Sequence, residues 1–227
     1  MKTIYIPILF FLFTGCAHKP VSKEIKKSFT NRFEGKNTGI GSLIEVDGYY
    51  KIWAKGDFVK NFRTNQMDSF FLNTIFYEDG SFVYNFFSLE GYPKDINGYL
   101  KQVVKNGNKD EFHFGFYWGI YTLSNDTIKA QYINNASNSY LAPWLGAEYW
   151  FKVRNANTLE IINEGDLGKM PVADITEYNK CFLKYSPAIF HHTEMVPSSY
   201  NWLKNQKWLW RNEYDWKKFT DSVRILE

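Results

Sequence analysis

The sequence predicts a mainly β fold, an antiparallel up-and-down barrel of about eight strands followed by a short helical tail. Three observations predict it. Apolar and aromatic residues alternate with polar ones along several segments, which is the period of a strand. Turn signals separate these segments, most clearly Asp79-Gly80. Eight antiparallel strands hide their edges by closing into a barrel, which encloses either a filled core or one small ligand.

The composition excludes several classes of protein. The chain has 227 residues, which fits one β-rich domain or at most two small ones. Its 27 basic and 24 acidic residues give a net charge of +3, too weak for a nucleic-acid-binding surface. Two cysteines exclude a disulfide-rich scaffold, and a mean hydropathy of −0.41 with one short apolar run excludes a polytopic membrane protein. The 20 Phe, 16 Tyr and 8 Trp argue against disorder.

The clearest strand signal lies over residues 112–120. Aromatic or branched residues recur there at every second position, so a strand would align them on one face. Gly119, on the other face, suggests a bend or a close approach of another backbone. The full set of predicted strands covers 47–53, 70–77, 82–87, 112–120, 127–134, 147–154, 158–164 and 180–185.

Two segments are predicted to be helical. Asp95 to Lys105 is expected to form a short helix with Asp95 as its N-cap, inside a polar insertion over 91–110. In the tail, Trp216, Phe219 and Val223 form a helical stripe. The tail is rich in tryptophan, and we expect the extension over 191–227 to pack on a barrel formed by residues 46–190.

The beginning of the chain has the pattern of an export signal. Met1-Lys2 is followed by an uncharged apolar run from Ile4 to Phe13, which is too short to span a bilayer as a helix. The run ends in Phe13-Thr14-Gly15-Cys16, and this resembles the lipobox of bacterial lipoproteins. The resemblance implies cleavage before Cys16 and acylation of that residue, which would make membrane lipid its partner.

This resemblance sets the expected organisation and location. Residues 1–15 are predicted to be the signal peptide and residues 16–45 a lipidated, solvated tether. Ala17 stands where some Gram-negative lipoproteins carry an inner-membrane retention Asp, so the expected location is the cell envelope at the outer membrane. With Cys16 acylated, Cys181 has no partner, and we expect a buried thiol.

Short motifs in the middle of the chain resemble those of lipocalin-like (calycin) lipoproteins. They are Gly48-Tyr49-Tyr50, the hairpin over 76–82, and Gly119-Ile120-Tyr121 followed by Asp126-Thr127-Ile128. The resemblance covers about residues 46–164. It implies a barrel with an apolar cavity and transfers no particular ligand.

Aromatic residues are the candidates for a ligand-binding wall, with core packing as the alternative for each of them. The candidate set is Phe112, Phe114, Phe116, Trp118, Tyr132 and Trp150. No metal or cofactor site is predicted, because His191-His192 are adjacent and point opposite ways in an extended chain. No catalytic motif is found.

Three functions remain open from the sequence. The first is a lipid-anchored barrel that binds a small apolar or amphipathic ligand. The second is a non-catalytic envelope adaptor that docks an unknown protein partner through its aromatic tail. The third, placed last, is an envelope glycan or lipid hydrolase, which would require a cleft with converging ionisable groups.

Overall fold

The computed structural model describes residues 21–60, 67–84, 95–135, 144–167 and 184–226. These residues form a closed antiparallel barrel of eight strands, which confirms the predicted fold class. The barrel contains nine strand segments, because the last two pair with successive parts of the first. The segments are β1 (Gly48–Lys60), β2 (Met67–Phe76), β3 (Ser81–Tyr84), β4 (Tyr117–Ser124), β5 (Thr127–Asn135), β6 (Trp144–Asn155), β7 (Thr158–Asp166), β8 (Lys184–Tyr185) and β9 (Ala188–His192).

The strands follow one another around the barrel in chain order, and β1 closes it. Tyr50 of β1 pairs with Thr74 of β2 on one side and with Phe190 of β9 on the other. β7 pairs with β9 through Thr158 and Leu159. Each of these strands except the two-residue β8, which pairs with β1 alone, therefore has two neighbours, and the closed barrel removes most of the exposed edges that an open sheet would present.

The described helices lie before, between and after the strands. They are α1 (Lys23–Ser28), α2 (Ile96–Asn106), α3 (Phe112–Gly115) and α4 (Glu213–Leu226), with short 3₁₀ turns at Ile40–Ser42, Gly107–Lys109, Trp202–Asn205 and Lys207–Leu209. α2 begins as predicted, with the Asp95 carboxylate accepting a hydrogen bond from the Gly98 N–H. The tail helix predicted from its apolar stripe is also present.

The interior of the barrel is filled by alternate residues of the strands. Phe76 packs its ring against those of Phe82 and Phe151, with centroids 5.8 and 5.5 Å away. A Cβ at Gly119 would lie 2.2 Å from the Gln131 carbonyl oxygen of β5 and 2.5 Å from the Phe82 ring of β3. The close backbone approach predicted for Gly119 is thus present, with an aromatic ring beside it. We call the cluster of inward-facing residues around Phe76, Phe82 and Phe151 the inner core.

One end of the barrel is sealed by the chain that leads into β1. Ile40 and Ile44 are buried there and belong to the inner core. The Tyr50 hydroxyl donates to the Ala156 carbonyl at 2.7 Å, in the turn between β6 and β7. We call this the sealed end.

A second apolar cluster covers the outside of the barrel. It joins the outward faces of β2, β3 and β4 to α1, α2, α3 and the tail, and we call it the outer core. All four residues of β3 are buried, because that strand is covered on both faces. Phe29 packs edge-on against Trp208, and Phe33 against Trp210.

The outer core corrects the prediction of a solvated tether before the barrel. Residues 21–45 lie on the protein: Val21 and Ile25 are 6% exposed and Phe29 is fully buried. The Asn31 side chain donates hydrogen bonds to the backbone carbonyls of Ile120 and Lys129. The apolar residues of this segment are few and are separated by polar and basic residues. The sequence pattern therefore did not show that they form one apolar face, which packs on the barrel.

The strand predicted over 112–120 is wrong in its first half. Residues 112–115 form α3, and β4 begins at Tyr117. Asp110 starts the turn, since its carboxylate accepts a hydrogen bond from the Phe112 N–H. The chain then folds back so that the Trp118 indole donates to the Phe112 carbonyl at 2.9 Å. The alternating aromatic residues over 112–120 therefore belong to two successive segments, α3 and β4, and not to one face of a single strand.

The end of the barrel also differs from the prediction. Of the strand expected over 180–185, only Lys184–Tyr185 fall within the described residues, and Cys181 lies outside them. β9 was not predicted, and it contains the adjacent His191 and His192. Pro187 separates β8 from β9. Because a proline interrupts the sequence pattern of a strand, the pattern did not show that β8 and β9 pair with successive parts of β1.

Candidate functional site: the tyrosine end of the barrel

The end of the barrel opposite the sealed end is lined by tyrosines. At this end β3 and β5 finish and β4 and β6 begin. The connections over 61–66, 85–94, 136–143 and 168–183 lie outside the described residues. Five inward-facing tyrosines define what we call the tyrosine end: Tyr84, Tyr117, Tyr132, Tyr149 and Tyr185.

The tyrosine rings form one connected stack. Tyr84 lies 5.3 Å from Tyr132 and 4.9 Å from Tyr149, measured between ring centroids. Tyr132 stacks on Tyr149 at 5.9 Å with an interplanar angle of 11°. Tyr117 and Tyr185 add edge-on contacts at the margin and are only half-buried. Small side chains lie directly opposite two of these rings, because Ala147 pairs with Tyr132 and Ala54 pairs with Tyr185.

The hydroxyls of two tyrosines converge on one carboxylate. Tyr149 donates to Glu164 Oε1 at 2.6 Å, and Tyr185 donates to Glu164 Oε2 at 2.9 Å. Glu164 is an exposed residue of β7, whereas Tyr149 is only 4% exposed. The carboxylate is therefore fixed in place by buried donors and still reaches solvent. Charge-assisted hydrogen bonds of this kind are shorter and stronger than neutral ones.

Burial determines the protonation of the tyrosine end. It raises the pKa of Tyr84, Tyr132, Tyr149 and Tyr185 well above 10, the ordinary value. The phenols thus stay neutral hydrogen-bond donors at physiological pH. Among the described residues, no atom meets the buried Tyr84 hydroxyl in good hydrogen-bonding geometry. A buried donor of this kind is uncommon in folded proteins.

Most of the residues predicted to line a ligand site lie on the outside of the barrel. Phe112 and Trp118 are fully buried in the outer core, and Phe116 packs against it. Phe114 is 49% exposed on α3. Trp150 faces outward on β6, where its indole donates to Glu148 and the Lys129 ammonium lies 4.4 Å from its ring.

Tyr132 is the one predicted site residue that belongs to the tyrosine end. Tyr84, Tyr117 and Tyr185 were not singled out from the sequence, although alternation already placed Tyr132 with Ala130, and Tyr149 with Ala147, on common strand faces. The signal that pointed to Tyr132 and Tyr149 is an alanine two residues before each tyrosine, on the same face of its strand. Glu164 carried no signal, because its role depends on the register between β6 and β7.

A separate cluster of polar groups lies outside the barrel, at a surface depression of about 390 Å³ next to the β2–β3 turn. The Lys204 ammonium donates to Asp79 at 2.6 Å and to the Ser199 hydroxyl at 2.8 Å, and its side chain is 3% exposed. Ser199 in turn donates to the same Asp79 oxygen. These groups satisfy one another, which is the arrangement of a buried ion pair that joins the tail to the turn.

In the part of the chain that the structure describes, no three metal-ligating side chains come together. None of its helices has the length and apolar character needed to cross a membrane.

Comparison with protein-family models, with curated proteins and with solved structures finds no match for this chain. The description of the fold therefore depends on the barrel alone, and this barrel is compatible with a lipocalin-like architecture.

Proposed function

We propose that this protein is a lipid-anchored lipoprotein of the bacterial envelope whose barrel binds a small amphipathic ligand at its tyrosine end. The single observation that carries the binding part is the contrast along the barrel axis. The sealed end is close-packed, whereas the tyrosine end combines stacked phenols with a carboxylate that reaches solvent. Aromatic walls with a few fixed polar groups are typical of small-molecule sites.

The anchor rests on the Phe13-Thr14-Gly15-Cys16 pattern and on the position of the first packed residue. Val21 is already buried on the barrel, so the link from Cys16 is about five residues long and reaches at most ~18 Å. Acylation of Cys16 would hold the barrel close to the bilayer surface. Ala17 favours the outer membrane as that surface.

The packing of the tail argues against the adaptor function. Trp210 is 8% exposed, and the other three tail tryptophans pack half-buried against the outer core. The tail therefore directs much of its tryptophan surface towards the barrel, which leaves less of it for a partner. The hydrolase gains no support either, because Lys204 and Ser199 are bound to Asp79 and to each other.

The ligand can be tested by mass spectrometry of small molecules that co-purify with the full-length protein. We expect a defined amphipathic species, and we expect Tyr132→Ala to lose it, because that ring lies inside the barrel. Trp150→Ala is the matched control, since it removes an aromatic ring from the neighbouring strand on the outside. Retention of the same species by both variants, or its absence from the wild type, would overturn the ligand proposal.

The anchor is tested separately by replacing Cys16 with serine. The wild type should incorporate labelled palmitate and sediment with membranes, and the variant should do neither. Unchanged labelling and sedimentation of the variant would overturn the anchor.

A further inference from the structure

The tyrosine end has two carboxylates on its inner wall. In the register of β6 and β7, Tyr149 pairs with Glu164 and Ala147 pairs with Asp166. Residues directly opposite each other in an antiparallel pair lie on the same face of the sheet. Since Tyr149 and Ala147 belong to the inner core, Glu164 and Asp166 face inward too. Both are nevertheless exposed, so this part of the barrel wall is open to solvent.

No described side chain neutralises these carboxylates through an ion pair. Within the described ranges, neither Glu164 nor Asp166 forms one, although other acids of the barrel do. The two hydrogen bonds that Glu164 accepts come from neutral phenols, which fix the carboxylate without removing its charge.

The aromatic rings beside the carboxylates also favour a positive charge. The face of an aromatic ring is the negative part of its quadrupole and attracts cations, most strongly where water is excluded. Tyr84, Tyr132 and Tyr149 are stacked in contact, and Tyr117 and Tyr185 stand half-buried at their margin. The Tyr84 hydroxyl, buried and without a well-aligned partner among the described residues, adds a hydrogen-bonding group in the same cluster.

We propose that the ligand of the tyrosine end carries a small organic cation, a quaternary ammonium or protonated amine head group. This inference rests on the proposed ligand-binding function and specifies the class of ligand. The cationic head lies between the marginal tyrosine rings and Glu164, and Asp166 attracts it to the opening. Anionic amphiphiles are disfavoured, because they would meet two carboxylates that form no ion pair with any described side chain.

Choline and 3,3-dimethyl-1-butanol provide the test, because the second is the uncharged carbon isostere of the first. Binding of each to the full-length protein is measured by ligand-observed NMR titration. We expect choline to bind about tenfold more tightly than the isostere, as a charge facing a partly desolvated carboxylate and aromatic rings requires. Equal affinities, or no binding of choline, would overturn the cation proposal.

Glu164→Gln tests the residue that carries the proposal. The amide keeps the shape: its oxygen accepts from one phenol, and its NH2 group donates to the oxygen of the other. The negative charge is lost and one hydrogen bond reverses its direction. We expect choline to bind about fivefold more weakly and the isostere to be unaffected. Glu160→Gln is the matched control: it lies on the same strand but pairs with Arg154 outside the barrel, and it should change neither affinity.

The outcomes separate this inference from the function on which it rests. If Glu164→Gln leaves choline binding unchanged while its circular dichroism spectrum and thermal midpoint match the wild type, the cation proposal is wrong. The co-purification experiment then decides the ligand-binding function by itself, because an uncharged or anionic species lost in Tyr132→Ala would keep that function. A cationic species in the same experiment would support both.

Discussion

The inner core and the outer core are built from similar residues but are held together differently. The inner core is made by strands that follow one another in the chain, and its rings meet across short hairpins, as Phe76 and Phe82 do. The outer core joins segments that lie far apart in sequence. Phe33 bridges to Trp210, and Asp79 pairs with Lys204. Apolar burial dominates the first, whereas polar contacts fix the geometry of the second.

This difference also separates the two ends of the barrel. Lys204 and Ser199 of the tail bind Asp79 in the β2–β3 turn, and Ile40 and Ile44 fill the sealed end as part of the inner core. The inner wall of the tyrosine end is instead connected through phenol hydroxyls and Glu164. Three changes test this division.

The largest effect is expected from Phe76→Ala in the inner core. Phe76 is 1% exposed and lies between four other aromatic rings, so the variant leaves a cavity that its stiff neighbours cannot fill. We expect the free energy of unfolding to fall by about 4 kcal/mol, measured by urea denaturation. Ile162→Ala is the control, since Ile162 is 49% exposed, and it should change stability by under about 0.5 kcal/mol. A small loss at Phe76 would show that the inner core is loosely packed.

A smaller loss is expected from Asp79→Ala, which breaks the ion pair of the outer core. Lys204 would keep a buried charge without its partner, and we expect a loss of about 3 kcal/mol in the free energy of unfolding. The double variant Asp79→Ala/Lys204→Met should recover most of that loss, because no buried charge remains. Glu160→Ala removes an exposed ion pair and should change stability by under about 1 kcal/mol. Failure of the double variant to recover would show that the turn itself needs Asp79.

The smallest effect is a pH dependence that we assign to the outer core. His113 is 1% exposed, and burial lowers its pKa below the ordinary 6.5. Below pH 6.5 the unfolded chain therefore binds a proton that the folded protein does not, so stability falls as the pH falls towards the folded pKa. Urea midpoints at pH 7.5 and at pH 5 should show this decline. His113→Asn should weaken it, and an unchanged decline would assign it to other groups.

The sequence predicted the local elements of the barrel and their order. Asp79-Gly80 fixed one hairpin, because glycine at φ 93° suits that turn, and Asp95 fixed the start of α2. The alternation over 127–134, 147–154 and 158–164 located β5, β6 and β7. These signals succeed because they depend on residues that are near one another in the chain.

The candidate site was largely missed, and the reason is specific. Alternation separates the two faces of a strand but does not say which face turns inward. On β4 both faces are covered, so the conspicuous Trp118 lies in the outer core while Tyr117 lines the barrel. The prediction followed the larger aromatic residues to the outer face.

What the sequence determined by itself was the β character of the chain, its turns, and a cysteine pattern that proposes a lipid anchor. Only the tertiary structure decided that residues 21–45 lie on the barrel, that the tail covers its outside, and that Glu164 meets two tyrosines. The physical reason is that these contacts join residues distant in the chain. Their stability comes from surfaces that exist only after the barrel has closed, and no local pattern carries that information.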